Sequence, residues 1–119
     1  MVDTPTPVGA LQLDVLHDPA MGIFTEDAAT MEPECTNLVA GALPVANYDA
    51  VAGRLRLGWI ALTPFTGPID LATCRFSPSS APPMTTDFTI VLNDATDLAL
   101  ADIVPSPTTT VSEVSCGGP

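Results

Sequence analysis

Alternation of apolar and polar residues is the clearest pattern in the first part of this chain. Between Gly9 and His17 the pattern alternates, with Leu11, Leu13 and Val15 at every second position, and the Asp18-Pro19 pair ends the run. The two sides of this extended segment carry Leu11, Leu13 and Val15 on one face, and Ala10, Gln12 and Asp14 on the other. A period of two predicts a β-strand with one face on a hydrophobic core.

A second alternating segment spans Arg54 to Leu62. Its inward positions are predicted to be Leu55, Leu57 and Trp59, with Arg54 and Arg56 on the opposite face. Beyond Gly58 both faces become apolar, which predicts a bulge or a second half buried on both sides. We therefore interpret Trp59 as a core residue rather than a ligand platform.

Further strands are predicted at Leu71–Phe76, Asp87–Asn93 and Thr109–Val114. Thirteen prolines and the lack of a long helical period favour an all-β fold, a two-sheet antiparallel β-sandwich. We predict an extended N-terminal segment over residues 1–7, a single domain over 8–115, and a short tail over 116–119.

The order and spacing of these segments resemble those of the cohesin family. The matching parts are the turn His17-Asp18-Pro19, the Gly-led strand Gly53–Leu62, the strand Leu71–Phe76 with its terminal Phe, and the later strands Phe88–Asn93 and Val111–Val114. The resemblance implies a jelly-roll sandwich, secreted or displayed on a cell surface, that binds a dockerin-like module through one sheet face. It implies no catalysis.

The chain departs from the cohesin pattern at its start. Cohesins have an opening strand before the segment matched by Val8–Pro19, whereas only seven residues precede it here. We therefore predict a sheet that lacks the opening strand, with its edge covered either by residues 1–7 or by a strand from another chain. The second case would make the protein a self-assembling structural subunit, and this hypothesis stays open beside the recognition module.

The charge of the chain narrows the classes of partner. It has fourteen acidic residues, three arginines and no lysine, for a formal net charge of −11. Binding to phosphate backbones or anionic membrane surfaces needs clustered cations, so we expect neither nucleic acid nor membrane partners. No apolar run approaches the roughly 20 residues that span a bilayer, and no signal peptide is visible, as expected for a mature secreted chain.

Three cysteines, Cys35, Cys74 and Cys116, allow three single disulfides. In a chain with extracellular character, one bridge and one remaining thiol are expected. We predict Cys35–Cys74, because Cys74 lies in a predicted strand and Cys35 in the region that precedes the next strand. Cys116 would then be free or would link two chains, and the alternative is three reduced cysteines.

Candidate chemistry is sparse. His17 is the single histidine and follows a strand into a turn, so we interpret it as a turn residue and predict no catalytic residue. Calcium is the one cofactor considered, with four oxygen donors near the end of a predicted strand. These donors are Asn93, Asp94, Asp97 and Asp102. The alternative is that these side chains cap turns.

For partner binding we select Arg54, Arg56 and Tyr48. The two arginines share one strand face in a chain with one other cation, and Tyr48 lies in a predicted Asn-Tyr-Asp turn. Polysaccharide binding is a weaker alternative, because sugar-binding faces present several coplanar aromatic rings and this chain has six aromatic residues in all. The expected partner is a dockerin-like protein or another copy of the chain.

Overall fold

The computed structural model describes residues 1–79, 81–104, 106–111 and 114, which form ten β-strands and no α-helix. The strands are β1 (Val2–Asp3), β2 (Val8–Leu16), β3 (Gly22–Phe24), β4 (Cys35–Asn37), β5 (Ala42–Asp49), β6 (Arg54–Phe65), β7 (Ala72–Cys74), β8 (Phe76–Pro78), β9 (Thr89–Thr96) and β10 (Thr108–Thr109). Two short 3-10 turns lie at Pro19–Met21 and Thr85–Asp87. The mostly β prediction is therefore confirmed.

The largest sheet is antiparallel, with four strands in the order β5-β6-β2-β9. Strand β2 lies in its interior, since Leu13 is opposite Leu57 on one side and Leu92 on the other. The segment Val8–Leu16 therefore presents no unpaired edge. The edges of this sheet are β5 and β9.

Strand β6 follows β5 through a tight turn at residues 50–53. Gly53 has a φ of +68°, which favours glycine because a Cβ is poorly tolerated in the left-handed region. Its carbonyl also accepts a hydrogen bond from the N–H of His17 at 2.9 Å. The turn thereby fixes the register of β6 and ties its start to the end of β2.

Three two-stranded antiparallel pairs accompany the large sheet: β1–β10, β3–β8 and β4–β7. The single strand predicted over Leu71–Phe76 is divided between two of them. At Arg75 the N–H donates to Glu34 O at 3.1 Å and the carbonyl accepts from Thr25 N at 3.0 Å. The chain thus exchanges one partner strand for another at this residue, which alternation alone does not predict.

The N-terminal segment 1–7 contains β1. Val2 is fully buried, pairs with Thr109, and forms a bridge to Ile69. The last strand observed is Thr108–Thr109; the closing strand predicted over Thr109–Val114 includes residues 112 and 113, which lie outside the described part of the chain.

One hydrophobic core joins the large sheet to the strand pairs. Its members come from both, and the largest fully buried ones are Leu55, Val2 and Val8. The indole Nε1 of Trp59 donates to Oδ1 of Asn37 at 3.1 Å, so a buried ring on β6 is hydrogen-bonded to β4. The core therefore covers one face of the four-stranded sheet, and we call that face the inner face.

Candidate functional site

The opposite, outer face of the four-stranded sheet carries mostly exposed side chains, although Asp14 and Thr96 on it are buried. Because side chains alternate along a strand, every cross-strand row belongs to one face. The outer rows are Leu43–Ile60–Ala10–Thr96, Val45–Gly58–Gln12–Asp94, Asn47–Arg56–Asp14–Val91 and Asp49–Arg54–Leu16–Thr89, with Leu62 continuing the series on β6. This face combines an apolar end and an ion-paired end.

The apolar end consists of Leu43 and Val45 on β5 with Ile60 and Leu62 on β6, and we call these four residues the apolar patch. Leu43 lies directly opposite Ile60. Their exposed fractions are 54%, 62%, 58% and 70%, respectively. Single exposed apolar residues are ordinary on protein surfaces, whereas a contiguous group on neighbouring strands is typical of contact sites.

The ion-paired end is built around Asp14 and Arg56. Nε and Nη2 of Arg56 donate to Oδ1 and Oδ2 of Asp14 at 2.9 and 3.2 Å, a two-point pair across adjacent strands. This hydrogen bonding holds the pKa of Asp14 below its ordinary value, with a further bond from Asn93. It also raises the pKa of Arg56.

Arg54 is less tightly held than Arg56. Its Nη2 lies 3.9 Å from Oδ2 of Asp49, and both side chains are about half exposed. The predicted partner-binding arginines therefore share the outer face, as alternation indicated, and both lie beside carboxylates. A shallow depression of about 380 Å³ lies at this end, and its lining includes all three residues predicted to bind a partner, Arg54, Arg56 and Tyr48.

Tyr48, the third residue predicted to bind a partner, is in an inner row between Ala46 and the β5–β6 turn, opposite Leu55. Its ring is half-buried, and burial raises the pKa of its phenol above the ordinary value. It packs edge-on against Phe24 with ring centroids 5.4 Å apart. The side chain of Tyr48 thus points to the opposite side of the sheet from the side chains of the two arginines.

His17 lies at the centre of an aromatic cluster. Its ring contacts those of four neighbours, at centroid distances between 5.1 and 6.4 Å. These neighbours are Phe24, Tyr48, Phe76 and Phe88. The histidine is 7% exposed and belongs to the packed interior.

Both ring nitrogens of His17 have hydrogen-bond partners. Nδ1 lies 2.8 Å from the carbonyl of Asp18, which can only accept, so this nitrogen carries the proton. In the neutral ring Nε2 then accepts from the hydroxyl of Tyr48 at 2.7 Å. With both nitrogens engaged, the geometry does not favour His17 as a catalytic base.

Two of the four residues considered for calcium, Asn93 and Asp97, have hydrogen-bonded side chains in the structure. The Asp97 carboxylate accepts from the N–H groups of Ala99 and Ala101 at 2.8 and 3.0 Å, which is turn capping of the kind considered from the sequence. Asp102 forms an isolated antiparallel β-bridge with Thr96 through the backbone, and the side chain of Asn93 forms a hydrogen bond with that of Asp14. Asp94 is exposed in an outer row. Over the described residues, no three acid, histidine or cysteine side chains converge on a point where they could hold a metal ion.

The predicted disulfide is present. Cys35 and Cys74 lie directly opposite each other on β4 and β7, with their Cα atoms 4.1 Å apart. A disulfide is compatible with an extracellular protein. Cys116, predicted to be free or intermolecular, lies outside the described residues. Within the described part of the chain, no helix has the length and apolarity to cross a bilayer.

Sequence reasoning missed the apolar patch. The signal was present in Ile60 and Leu62, which alternate with Trp59 and Ala61 and made both faces of β6 apolar. We predicted that this half would be bulged or buried on both sides. The pairing with β2 is irregular here, since Ala10 lies opposite Ile60 and Val8 opposite Phe65, as the first alternative expects. Ile60 and Leu62 are more than half exposed, so burial of both faces was wrong. Leu43 and Val45 join them through the β5–β6 register, which only the fold supplies.

Comparison of the chain with protein-family models, with curated proteins and with solved structures found no match. The resemblance to cohesins therefore stays a prediction from the sequence. The functional proposal therefore rests on the geometry of the sheet.

Proposed function

We propose that this protein is a non-catalytic protein–protein interaction module, secreted or displayed on a cell surface, that contacts its partner through the outer face of the four-stranded sheet. The observation that carries the proposal is the apolar patch, in which four large side chains on two neighbouring strands are each more than half exposed. Removing such a surface from water is favourable and is the usual basis of protein association.

The distribution of aromatic residues supports a protein partner over a polysaccharide. All six aromatic side chains belong to the core or pack against it. They are Phe24, Tyr48, Trp59, Phe65, Phe76 and Phe88. A polysaccharide face needs exposed rings on which sugars stack, and the outer rows contain none. An apolar area beside a polar, ion-paired one is compatible with the apolar centre and polar rim of a protein contact.

The finer form of the proposal is a cohesin-like jelly-roll module that holds a dockerin-like partner. Its support is the order of sequence segments that resemble cohesins, together with an exposed face on the sheet that contains three of those segments, in β2, β6 and β9. The secreted setting is supported by the Cys35–Cys74 disulfide.

The test compares two double variants. Ile60→Thr with Leu62→Thr removes half of the apolar patch, while Val51→Thr with Val104→Thr makes the same kind of change at residues that are 90% and 84% exposed elsewhere. Threonine keeps a high strand propensity, so folding should be retained. Each immobilised protein is exposed to the secreted proteins of the native host and, separately, to purified dockerin modules.

We expect the patch variant to lose at least about 10-fold in affinity for a captured protein, equivalent to about 1.4 kcal/mol, and the control to bind as the wild type. Equal capture by the wild type and the patch variant would contradict the proposed function. Capture of other secreted proteins, without binding to any dockerin module, would contradict only the dockerin-like partner.

A further inference from the structure

The two edges of the four-stranded sheet end its hydrogen-bonded ladder in different ways. Along an antiparallel strand, successive residues direct their N–H and C=O groups to opposite sides. At the start of β5, Gly41 O accepts from the N–H of Leu62 on β6 at 2.7 Å, so alternation turns Pro44 away from β6. Because proline has no N–H to donate, it protects this edge against the addition of a further strand.

The free edge of β9 lacks this protection. The N–H of His17, which follows β2, bonds on the β6 side, so alternation makes the preceding residue, Leu16, bond to β9. Leu16 lies opposite Thr89, and β9 therefore directs the N–H and C=O groups of Ile90 and Leu92 away from β2. This edge thus presents backbone donors and acceptors with no proline among them.

The chain itself covers the far end of this edge. Beyond a register shift in β9, Ala95 O accepts from the N–H of Ile103 at 3.1 Å. Within the described part of the chain, no backbone bond of this kind reaches the groups of Ile90 and Leu92 that face away from β2. The side chains of these two residues lie in inner rows and are half-buried, so the core is incompletely covered beside the same stretch. We call Thr89–Leu92 the open edge.

The surroundings of the open edge are acidic. Residues 84–104 contain four aspartates and no basic residue, a net charge of −4 in 21 residues, against −7 in the other 98 residues of the chain. Asp87 precedes the open edge, while Asp94 and Asp102 follow it, and all three are exposed. A cationic segment is therefore attracted to both ends of the open edge.

We propose that the open edge binds an extended basic segment of a partner protein, which adds a fifth strand to the sheet. Partner residues opposite Ile90 and Leu92 direct their N–H groups to β9 and their side chains to the inner face, so they are apolar. The residues between them point to the outer face, where Asp94 lies, so they are basic.

A second copy of this chain does not fit that description. The chain has no lysine, and two of its three arginines lie on β6, which is paired on both sides within the sheet. The contact is also separate from the apolar patch, which lies on β5 and β6. The inference therefore goes beyond the proposed function and does not depend on it.

The experiment uses a synthetic peptide about seven residues long, blocked at both ends, in which lysine alternates with valine. Nuclear magnetic resonance follows its titration into the protein, up to about 1 mM peptide, and measures hydrogen exchange of the backbone amides. We expect the N–H groups of Ile90 and Leu92 to exchange rapidly in the free protein and at least about 10-fold more slowly when the peptide is bound. The same peptide methylated on its valine nitrogens, or with glutamate in place of lysine, should bind at least about 10-fold more weakly.

Three variants locate the contact. Leu92→Pro removes an N–H that faces away from β2, as Pro44 does on the other edge, and should weaken peptide binding at least about 10-fold. Leu92→Ala keeps that N–H and should weaken binding less. Ala46→Pro makes the same change at an outward position of β5 and should bind the peptide like the wild type. Unchanged emission from the buried Trp59 checks that each variant is folded.

Slow exchange of both amides in the free protein would show that the open edge is already occupied and would overturn the proposal. Equal binding of the methylated peptide, measured on the wild type and so independent of any variant's folding, overturns strand addition. Equal binding of the glutamate peptide overturns the basic partner. Loss of partner capture in Ile60→Thr/Leu62→Thr with unchanged peptide binding supports two separate contacts, so the failures of the two proposals are distinguishable.

Discussion

In the second half of β6 the two faces have similar composition and different environments. In its second half Trp59 and Ala61 point inward and are 3% and 7% exposed, while Ile60 and Leu62 point outward and are 58% and 70% exposed. Both sets are apolar, and they alternate along one strand. Alternation therefore assigns each residue to a face, but the packing of other parts of the chain determines which face is buried.

In the first half of β6 the inner side chains are again buried, but the outer ones are charged. Leu55 and Leu57 are buried on the inner face, whereas Arg54 and Arg56 lie outside beside carboxylates of neighbouring strands. The outer face therefore changes from ion-paired to apolar along a single strand. The apolar half is the part of this face that we propose contacts a partner, whereas in the ion-paired half Asp14 is buried beneath Arg56.

The difference in burial between the two faces of β6 is tested most strongly by making the same substitution on each face. Leu55→Ala removes a side chain that is 1% exposed, and we expect it to lower the free energy of unfolding by about 3 kcal/mol, because a cavity remains in the core. Leu62→Ala, at the 70% exposed position of the same strand, should change it by no more than about 0.5 kcal/mol. Urea unfolding followed by Trp59 fluorescence measures both. Equal effects would mean that the two faces are not covered differently.

The Cys35–Cys74 disulfide joins β4 and β7, and its contribution to stability can be measured by removing it. Replacing Cys35 and Cys74 by serine removes a link across 39 residues, and we expect a loss of about 3 kcal/mol because the unfolded chain gains freedom. The same urea experiment measures it, with Cys116→Ser as the matched control. If the double variant is as stable as the control, the bridge does not stabilise the fold by restricting the unfolded chain.

The ion-paired end of the outer face predicts a pH dependence. The pKa of Asp14 is lowered in the folded state by Arg56, so its stabilising contribution is present above the unfolded pKa of about 3.9 and is lost as the pH falls through the folded value. Asp14→Asn should therefore lower stability at neutral pH, with the difference from the wild type shrinking below about pH 4.

Arg54→Gln is the control for this pair. Its partner lies at 3.9 Å and both side chains are about half exposed, so stability should change by no more than about 0.5 kcal/mol. Urea midpoints for the three proteins between about pH 3 and pH 7 give the comparison. A pH-independent difference for Asp14→Asn would contradict the role of its ionisation.

The smallest expected effect concerns Tyr48 on the inner face. Burial raises the pKa of its phenol, so the contribution to stability is present below the unfolded pKa of about 10 and is lost as the pH rises through the folded value. Tyr48 is the single tyrosine, so ultraviolet absorbance of the phenolate reports it alone. The titration midpoint should lie above that of the chain in urea. Coincident midpoints would place the phenol in solvent.

Several features of the fold were predicted from the sequence because local pattern determines them. Strands β2 and β6, the inward Trp59 and the shared face of Arg54 and Arg56 all follow from a period of two. The Cys35–Cys74 bridge was also predicted correctly. The division of Leu71–Phe76 between two partner strands was not, because both halves have the same local pattern and differ only in which strand they meet.

Which residues can share a face, the large excess of acidic residues and the mostly β character of the protein all follow directly from the amino-acid sequence. The interior position of β2, the contact of Tyr48 with His17 and the exposure of the apolar outer half of β6 follow only from the fold. Periodicity acts between neighbours in the chain. Coverage of a sheet face depends on segments such as Cys35–Asn37 and Ala72–Cys74, which reach the sheet only through long-range pairing.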